Sequence, residues 1–175
     1  MTAETRRDEI LKILEDRESQ PQSAAALAQE LSVSRQAIVS DVALLRAAGC
    51  EIFATPRGYV INRPQERQKG IIKTLVCSHN AKETRRELYA IVDCGCTALD
   101  VSVEHPVYGE IIGNLNISSR YDVDQFLEKS KEEKAPPLSA LTGGVHLHRV
   151  LCPDEETFAR LYESLSDLWI LFREE

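Results

Sequence analysis

The chain has 175 residues, enough for one large domain or two small ones, and its 43% apolar and 28% charged residues are typical of a globular protein. It has no apolar run near the ~20 residues of a membrane helix, no signal peptide behind its N-terminal arginines and an odd number of cysteines, so we expect a cytoplasmic protein without a disulfide framework. The net charge of −7 excludes a generally basic nucleic-acid binder, and any DNA contact must come from a local cluster.

The first third of the chain has the pattern of a helix-turn-helix. Residues Thr5–Arg17 predict an amphipathic helix, because their apolar residues share one face. Ser23 and Ser34 are typical N-caps and predict a short second helix and a third helix, which Gly49 ends. In this motif the later helix enters the major groove of DNA. We expect its outer face to contact DNA through Ser34, Arg35, Gln36, Val39, Ser40 and Arg46.

A hairpin is predicted directly after the third helix. Its strands are Glu51–Ala54 and Gly58–Ile61, and the turn between them places Arg57 at the tip of a wing, where arginine commonly meets phosphate or the minor groove. Residues 1–63 carry 8 Lys and Arg against 9 Asp and Glu, so we expect salt-sensitive binding with few phosphate contacts. An ordinary three-helix bundle used for protein contacts is the alternative.

The same stretch resembles the winged helix of the biotin-repressor type. The resemblance rests on SAAALAQELSVSRQAIVSDVALLRAAGCEI and on RGYVI in the wing. It implies that residues 1–63 are a winged helix-turn-helix domain whose partner is double-stranded operator DNA.

Residues Asn62–Gly70 are polar and predict a linker to a second domain, residues 70–175. We expect this domain to be α+β, with a mostly antiparallel sheet covered by helices. The predicted strands are Ile71–Cys77, Thr97–Val103, Ile111–Ile117, Val145–Leu151 and Trp169–Phe172. The predicted helices are Asn80–Val92, Tyr121–Lys131 and a last helix that Pro153 opens.

The stretch GGVHLHRVL places two of the four histidines on one strand. Residues i and i+2 of a strand share a face, so His146 and His148 can offer two imidazole ligands to one metal such as Zn, Ni, Cu or Fe. His79 ends another predicted strand, and Glu83 and Glu87 share a face of the helix that follows it. A site of histidines and one glutamate with an open position is therefore predicted. Hydrogen-bonded surface histidines are the alternative.

The segments CSHN, VEHPVYGEI and GGVHLHRVL look like the three motifs of the three-histidine (3H) domain. Joined to a biotin-repressor-like winged helix, this architecture is similar to the niacin-responsive transcriptional repressors of bacteria. The resemblance implies a homodimeric repressor of NAD-synthesis or niacin-uptake genes, with nicotinic acid as co-repressor near a divalent metal (Zn, Ni or Fe). It carries over His79, Glu87, His146 and His148 as metal ligands, with Glu83 as the alternative carboxylate.

His105 and Tyr108 lie in one predicted turn, and we expect them to hold the nicotinate ring. Two other functions compete with a niacin-responsive repressor. A metal-responsive regulator would use Cys94 and Cys96 with the histidines, and a metalloenzyme fused to a DNA-binding domain would activate water at the open metal site. The sequence has no obvious acid-base pair for catalysis, so we expect a protein that is not an enzyme.

Overall fold

The computed structural model of the protein describes residues 2–17, 20–61 and 70–173. The chain divides into two compact units, Met1–Gln68 and Lys69–Glu175. The predicted linker Asn62–Gly70 lies, except for Gly70, outside the described residues. None of the described helices is both long enough and apolar enough to cross a membrane.

The first unit has three helices followed by a hairpin. The helices are α1 (Ala3–Asp16), α2 (Ala24–Glu30) and α3 (Arg35–Ala47), and the antiparallel strands are β1 (Ile52–Thr55) and β2 (Gly58–Ile61). The predicted caps form as expected, because the hydroxyl of Ser23 accepts from the Ala26 amide at 3.0 Å and that of Ser34 accepts from the Ala37 amide at 3.2 Å. The predicted helix-turn-helix and wing are therefore present.

A partly buried ion pair joins α1 to α3 within this unit. Asp41 is buried on α3, and one of its carboxylate oxygens accepts from the Arg6 guanidinium at 2.5 Å. Arg7 approaches the other oxygen at 3.6 Å. The pair lies beside an apolar core that holds the three helices and the hairpin together. The core residues with the least exposure are Ile10, Leu14, Leu27, Ile38, Val42 and Ile52.

The second unit is a four-stranded antiparallel sheet with helices on one face, as the predicted α+β fold requires. Its strands lie in the order β3-β6-β4-β5. They are β3 (Ile71–Ser78), β4 (Thr97–His105), β5 (Gly109–Ile117) and β6 (Val145–Cys152). The helices are α4 (Thr84–Asp93), α5 (Arg120–Glu132) and α6 (Glu155–Asp167), with a 3-10 helix at Leu138–Thr142. One core joins the covered face of the sheet to all three α-helices.

Two predicted helix boundaries in this unit are wrong. Helix α4 begins at Thr84 instead of Asn80, because the Asn80 side chain accepts from the Lys82 amide at 2.9 Å and closes a turn. Helix α6 begins after Pro153, because Asp154 is its N-cap and accepts from the Thr157 amide at 2.7 Å.

The predicted closing strand Trp169–Phe172 is also wrong. This segment makes only an isolated antiparallel bridge, between Leu171 and Cys77 on β3. Trp169, the first residue of the predicted strand, has φ +59°, so the backbone is not extended there. The segment therefore lies along the outer edge of β3 without becoming a strand.

Candidate metal centre and DNA-binding face

The register of the sheet brings the two strand histidines under helix α4. His146 is paired with Cys77 of β3, and His148 is paired with Leu75. Both imidazoles are buried on the helix-covered face, with ring centroids 5.1 Å apart. Alternation along β6 therefore places both side chains on one face, as predicted, and that face is the one that the helices cover.

Glu87 of α4 reaches into the same place and contacts three imidazoles. Its side chain is 1% exposed. One carboxylate oxygen lies 2.8 Å from Nε2 of His79 and 3.5 Å from Nε2 of His148. The other oxygen lies 3.0 Å from Nε2 of His146. We call these four residues the histidine cluster.

The orientation of each ring in the histidine cluster is fixed by a backbone carbonyl. In His79, His146 and His148, Nδ1 lies within hydrogen-bond distance of a carbonyl oxygen, which can only accept, so Nδ1 carries the proton. In the neutral imidazole the lone pair is then on Nε2, which faces Glu87. Lone pairs and a carboxylate that converge in this way require protons or a metal cation between them. The accepting carbonyls are those of Asn80, Gly144 and Asp100, at 2.9, 2.8 and 2.6 Å.

The electrostatics of the metal-free cluster favour ion pairs. Burial by itself would lower the pKa of His79 and His148, but the hydrogen bonds and negative charge of Glu87 raise the pKa of both. Burial would raise the pKa of Glu87, but the positive charge of His148 and hydrogen bonds from the three imidazoles hold that pKa well below its usual range. Protons and a divalent cation therefore compete for the same atoms.

The two glycines that precede β6 position this cluster. Gly143 has φ +65° and Gly144 has φ +108°. A β-carbon on Gly144 would lie 2.6 Å from the carbonyl oxygen of His79. The His79 amide donates to the Gly144 carbonyl at 3.3 Å, and this Gly144 carbonyl also accepts from Nδ1 of His146 and orients its ring. Glycine at position 144 thus allows the close approach of two histidine-bearing segments.

The sequence analysis missed Cys77 as a candidate ligand. The donor atoms of Cys77, Glu87 and His146 all lie within 4.8 Å of one another. Burial, and then the charge of Glu87, raise the pKa of the Cys77 thiol well above its usual range. This group shares Glu87 and His146 with the histidine cluster, so the Cys77 thiol lies at the edge of the histidine cluster. The spacing Cys77-x-His79 at the end of a strand was the signal that could have identified it.

The sequence left Glu83 and Glu87 as alternatives, and the structure places them differently. Glu87 lies among the imidazoles. Glu83 is the N-cap residue of α4, and its carboxylate accepts from Arg86 at 2.5 Å. Of the two, Glu87 has the position from which a metal could be bound.

His105 and Tyr108, expected to hold a ligand ring, are not brought to the cluster. His105 ends β4, and its Nδ1 accepts from the amides of Val107 and Tyr108 at 3.2 and 3.4 Å. The two rings lie 4.9 Å apart, and Tyr108 is 76% exposed. Within the described part of the chain, a different set of residues borders the open space beside the cluster.

That space is a small cavity between α4, the sheet and the 3-10 helix. Its volume is about 30 Å³, room for roughly two water molecules. Glu87, His146 and His148 form one wall. The remaining wall is mostly apolar and is formed by Thr84, Leu88, Val101, Leu115, Phe126, Pro137, Leu138 and Ser139. This cavity is where a small molecule could contact the cluster, and no sequence pattern pointed to it.

In the first unit, the side chains predicted to contact DNA lie on the outer face of α3 and at the wing. Val39 is partly buried, and Arg57 is exposed in the turn between β1 and β2. Ser34 is exposed and also caps α3. The exposed members of the α3 face are Arg35, Gln36, Ser40 and Arg46. The helix presents a polar surface of the kind that a recognition helix uses.

Comparisons with known proteins match both units. The HTH domain family matches residues 6–60, and the 3H domain family matches residues 72–174. The chain is 45% identical over 165 residues to the "Probable transcription repressor NiaR" of Thermotoga maritima, covering 94% of this chain and 92% of that protein. It is 37% identical over 170 residues to the "Transcription repressor NadR" of Bacillus subtilis, covering 97% of this chain and 94% of that protein.

Proposed function

We propose that this chain represses genes of NAD synthesis or niacin uptake with nicotinic acid as its co-repressor. The chain belongs to the family of transcription repressors that join an HTH domain to a 3H domain. Its relatives are named as transcription repressors, so the chain is a DNA-binding regulator and not a metalloenzyme. The observation that carries the finer proposal is the buried convergence of three imidazoles on Glu87 beside a cavity.

The residues of the histidine cluster fit a divalent transition metal such as Zn, Ni or Fe. Each Nδ1 donates to a carbonyl, which leaves the three Nε2 atoms and the Glu87 carboxylate as ligands. Such a metal would supply an electrophilic centre that accepts the carboxylate or ring nitrogen of nicotinate. The thiol of Cys77, within 4.8 Å of two of these donors, favours a transition metal over Mg or Ca.

Operator binding belongs to the α3 face and the wing, with Arg35 and Arg57 as the cationic contacts. We propose that ligand binding favours the arrangement of a homodimer whose helices match two half-sites, which lie ~34–36 Å apart on one face of DNA. A coupling of about 1–3 kcal/mol changes operator affinity roughly 5- to 150-fold.

The face of the sheet away from the helices offers a surface for the dimer. Ile72 and Val76 of β3 and Ile112 of β5 are exposed there, although apolar. These residues lie on the two edge strands of the sheet, and exposed apolar surface of this kind commonly takes part in protein contacts. Val76→Lys combined with Ile112→Lys should therefore shift the mass measured by light scattering from dimer to monomer. An unchanged dimer would place the contact elsewhere.

Calorimetric titration of metal-loaded protein tests the co-repressor. Nicotinic acid should bind saturably, nicotinamide more weakly, and chelation should abolish the heat. His148→Ala should lower metal content and abolish binding, whereas His105→Ala, which removes an imidazole away from the cluster, should leave both unchanged. Full nicotinate binding by His148→Ala would refute the site.

The second candidate is a metal-responsive regulator, favoured by a cluster that is complete without an organic ligand. It predicts that metal alone changes DNA affinity and that nicotinic acid adds nothing. Cys94 and Cys96, expected to serve such a sensor, do not join the histidine cluster within the described residues, since Cys96 contacts Cys152 at 2.8 Å.

A further inference from the structure

Thr84 borders the cavity and carries a buried hydroxyl for which the described residues offer no hydrogen-bond partner. Thr84, the first residue of α4, is 9% exposed, and its Oγ1 has no partner among the residues that the structure describes. A buried hydroxyl left unpaired lowers the stability of a fold. Such a group is retained at a cost to folding, which is the pattern of a group that binds a ligand.

Thr84 also borders a second, open space. This outer basin has a volume of about 370 Å³ and lies against α5 and the segment that follows it. Thr84, Phe126 and Pro137 border both the inner cavity and the outer basin, so they form a shared wall between the two spaces. The inner cavity of about 30 Å³ is too small for a pyridine ring. A ring that reaches the histidine cluster therefore needs the two spaces to join at the shared wall.

The charges on the two sides of the shared wall differ. The outer basin is lined by Lys131 and Lys134, whereas the inner cavity ends at Glu87 and the imidazoles. Two lysines favour a carboxylate at the outer end. Phe126 and Pro137 offer apolar surface to the flat ring between the two ends.

We propose that Thr84 is the ligand-recognition residue of this domain, and that its hydroxyl donates a hydrogen bond to the carboxylate of a pyridine carboxylate held against Phe126 and Pro137. The ring edge opposite the carboxylate faces His146 and His148, and the basin with Lys131 and Lys134 is the route of access. This inference rests on the proposed function, since it assigns the residue that reads the co-repressor. It replaces His105 and Tyr108 as the expected ligand contacts.

The variant Thr84→Val tests this assignment, because valine has the shape of threonine and lacks the hydroxyl. Thr84→Ser is the matched control, since it keeps the hydroxyl. Both are to be made in the full chain, loaded with metal and titrated calorimetrically with nicotinic acid and with nicotinamide. A lost hydrogen bond to a charged acceptor should weaken nicotinic acid binding about 10- to 100-fold in Thr84→Val, with less than about a threefold change in Thr84→Ser.

Two further readouts separate ligand recognition from a structural role. Metal content should be the same in all three proteins, because Thr84 is not in the histidine cluster. The melting temperature of ligand-free Thr84→Val should equal or exceed that of the unaltered protein, because the hydroxyl it removes has no partner. The preference for nicotinic acid over nicotinamide should fall, because the neutral amide accepts a weaker bond.

The outcomes of the titration are distinguishable. Equal nicotinic acid affinity in Thr84→Val and the unaltered protein would overturn the role of Thr84 and leave the proposed function standing. A lower melting temperature of the ligand-free variant, with loss of metal, would show a structural role and overturn the assignment. If the unaltered protein binds neither pyridine, the proposed function is refuted, and this assignment with it.

Discussion

Replacing Glu87 with Gln in the metal-free protein should lower stability much more at acid pH than at alkaline pH. Glutamine keeps the shape and can hydrogen-bond, so the variant removes the charge alone. In the unaltered protein a Glu87 oxygen lies 2.8 Å from Nε2 of His79 and 3.5 Å from Nε2 of His148. At an effective dielectric constant of ~20 these separations correspond to attractions of about 6 and 5 kcal/mol with protonated imidazoles. Desolvation offsets much of this, and losing one partner of a buried pair costs about 3–5 kcal/mol.

The pH range follows from the direction of each pKa shift. The raised pKa values of His79 and His148 give a contribution that is fully present below the unfolded value of ~6.5 and is lost as pH rises through the folded values. The lowered pKa of Glu87 gives a contribution that is present above ~4.3 and is lost as pH falls through its folded value. The full ion-pair stabilisation is therefore present between about pH 5 and 6. Once pH has risen through the folded pKa values of His79 and His148, their imidazoles are neutral, and the buried carboxylate is a cost that glutamine removes.

Urea unfolding in a chelating buffer measures the effect. The chain's single tryptophan, Trp169, lies in the second unit, so its fluorescence reports that unit. Glu87→Gln should lose about 3–5 kcal/mol of unfolding free energy at pH 6 and little or none at pH 10. Glu83→Gln is the control, because it removes the same charge from a partly exposed pair with Arg86 and should cost less than about 1 kcal/mol. A loss in Glu87→Gln of equal size at both pH values would refute the ion-pair description.

Three further predictions use other parts of the molecule. Gly144→Ala should lose metal binding, because its β-carbon would lie 2.6 Å from the His79 carbonyl oxygen. Gly143→Ala is the control: its position has φ +65° and open space, so it should cost about 1–2 kcal/mol of stability and keep the metal. Metal content per chain distinguishes the two variants, and equal loss would contradict the close-approach explanation. Arg35→Ala should weaken duplex binding and flatten its salt dependence without changing metal content, and an unchanged salt slope would exclude a phosphate contact. Asp41→Asn should lower the stability of the first unit, because it removes the charge with which the Arg6 guanidinium pairs. Circular dichroism should detect this loss while Trp169 fluorescence does not change, and unfolding identical to that of the unaltered protein would contradict the role of the pair.

Much of the fold was predictable because local signals are strong in this chain. Ser23 and Ser34 cap the helices that they were expected to cap, and alternation along β6 placed His146 and His148 on one buried face. The errors arise where a side chain competes with the helix pattern. Asn80 closes a turn that delays α4 to Thr84.

The candidate site was only partly predictable, because it depends on contacts between distant segments. The spacing in the sequence could suggest that His79 and Glu87 meet. Which of Glu83 and Glu87 faces His79 depends on the turn that sets the start of α4, and the sequence pattern did not predict that turn. His105 and Tyr108 share one loop in the sequence, but in the structure that loop is the tip of the hairpin of β4 and β5. The sequence could not identify the Thr84 hydroxyl, because whether it has a hydrogen-bond partner depends on the residues that the fold packs around it.

Operator affinity measured with and without metal and nicotinic acid tests the central claim most directly. Duplexes are first selected from a random pool by the metal-loaded protein with nicotinic acid, and fluorescence anisotropy then measures affinity in all four combinations at one salt concentration. We predict tight binding only when both are present, with a loss of roughly 5- to 150-fold when either is removed. Affinity that depends on metal but not on nicotinic acid would contradict the co-repressor and leave a metal-responsive repressor.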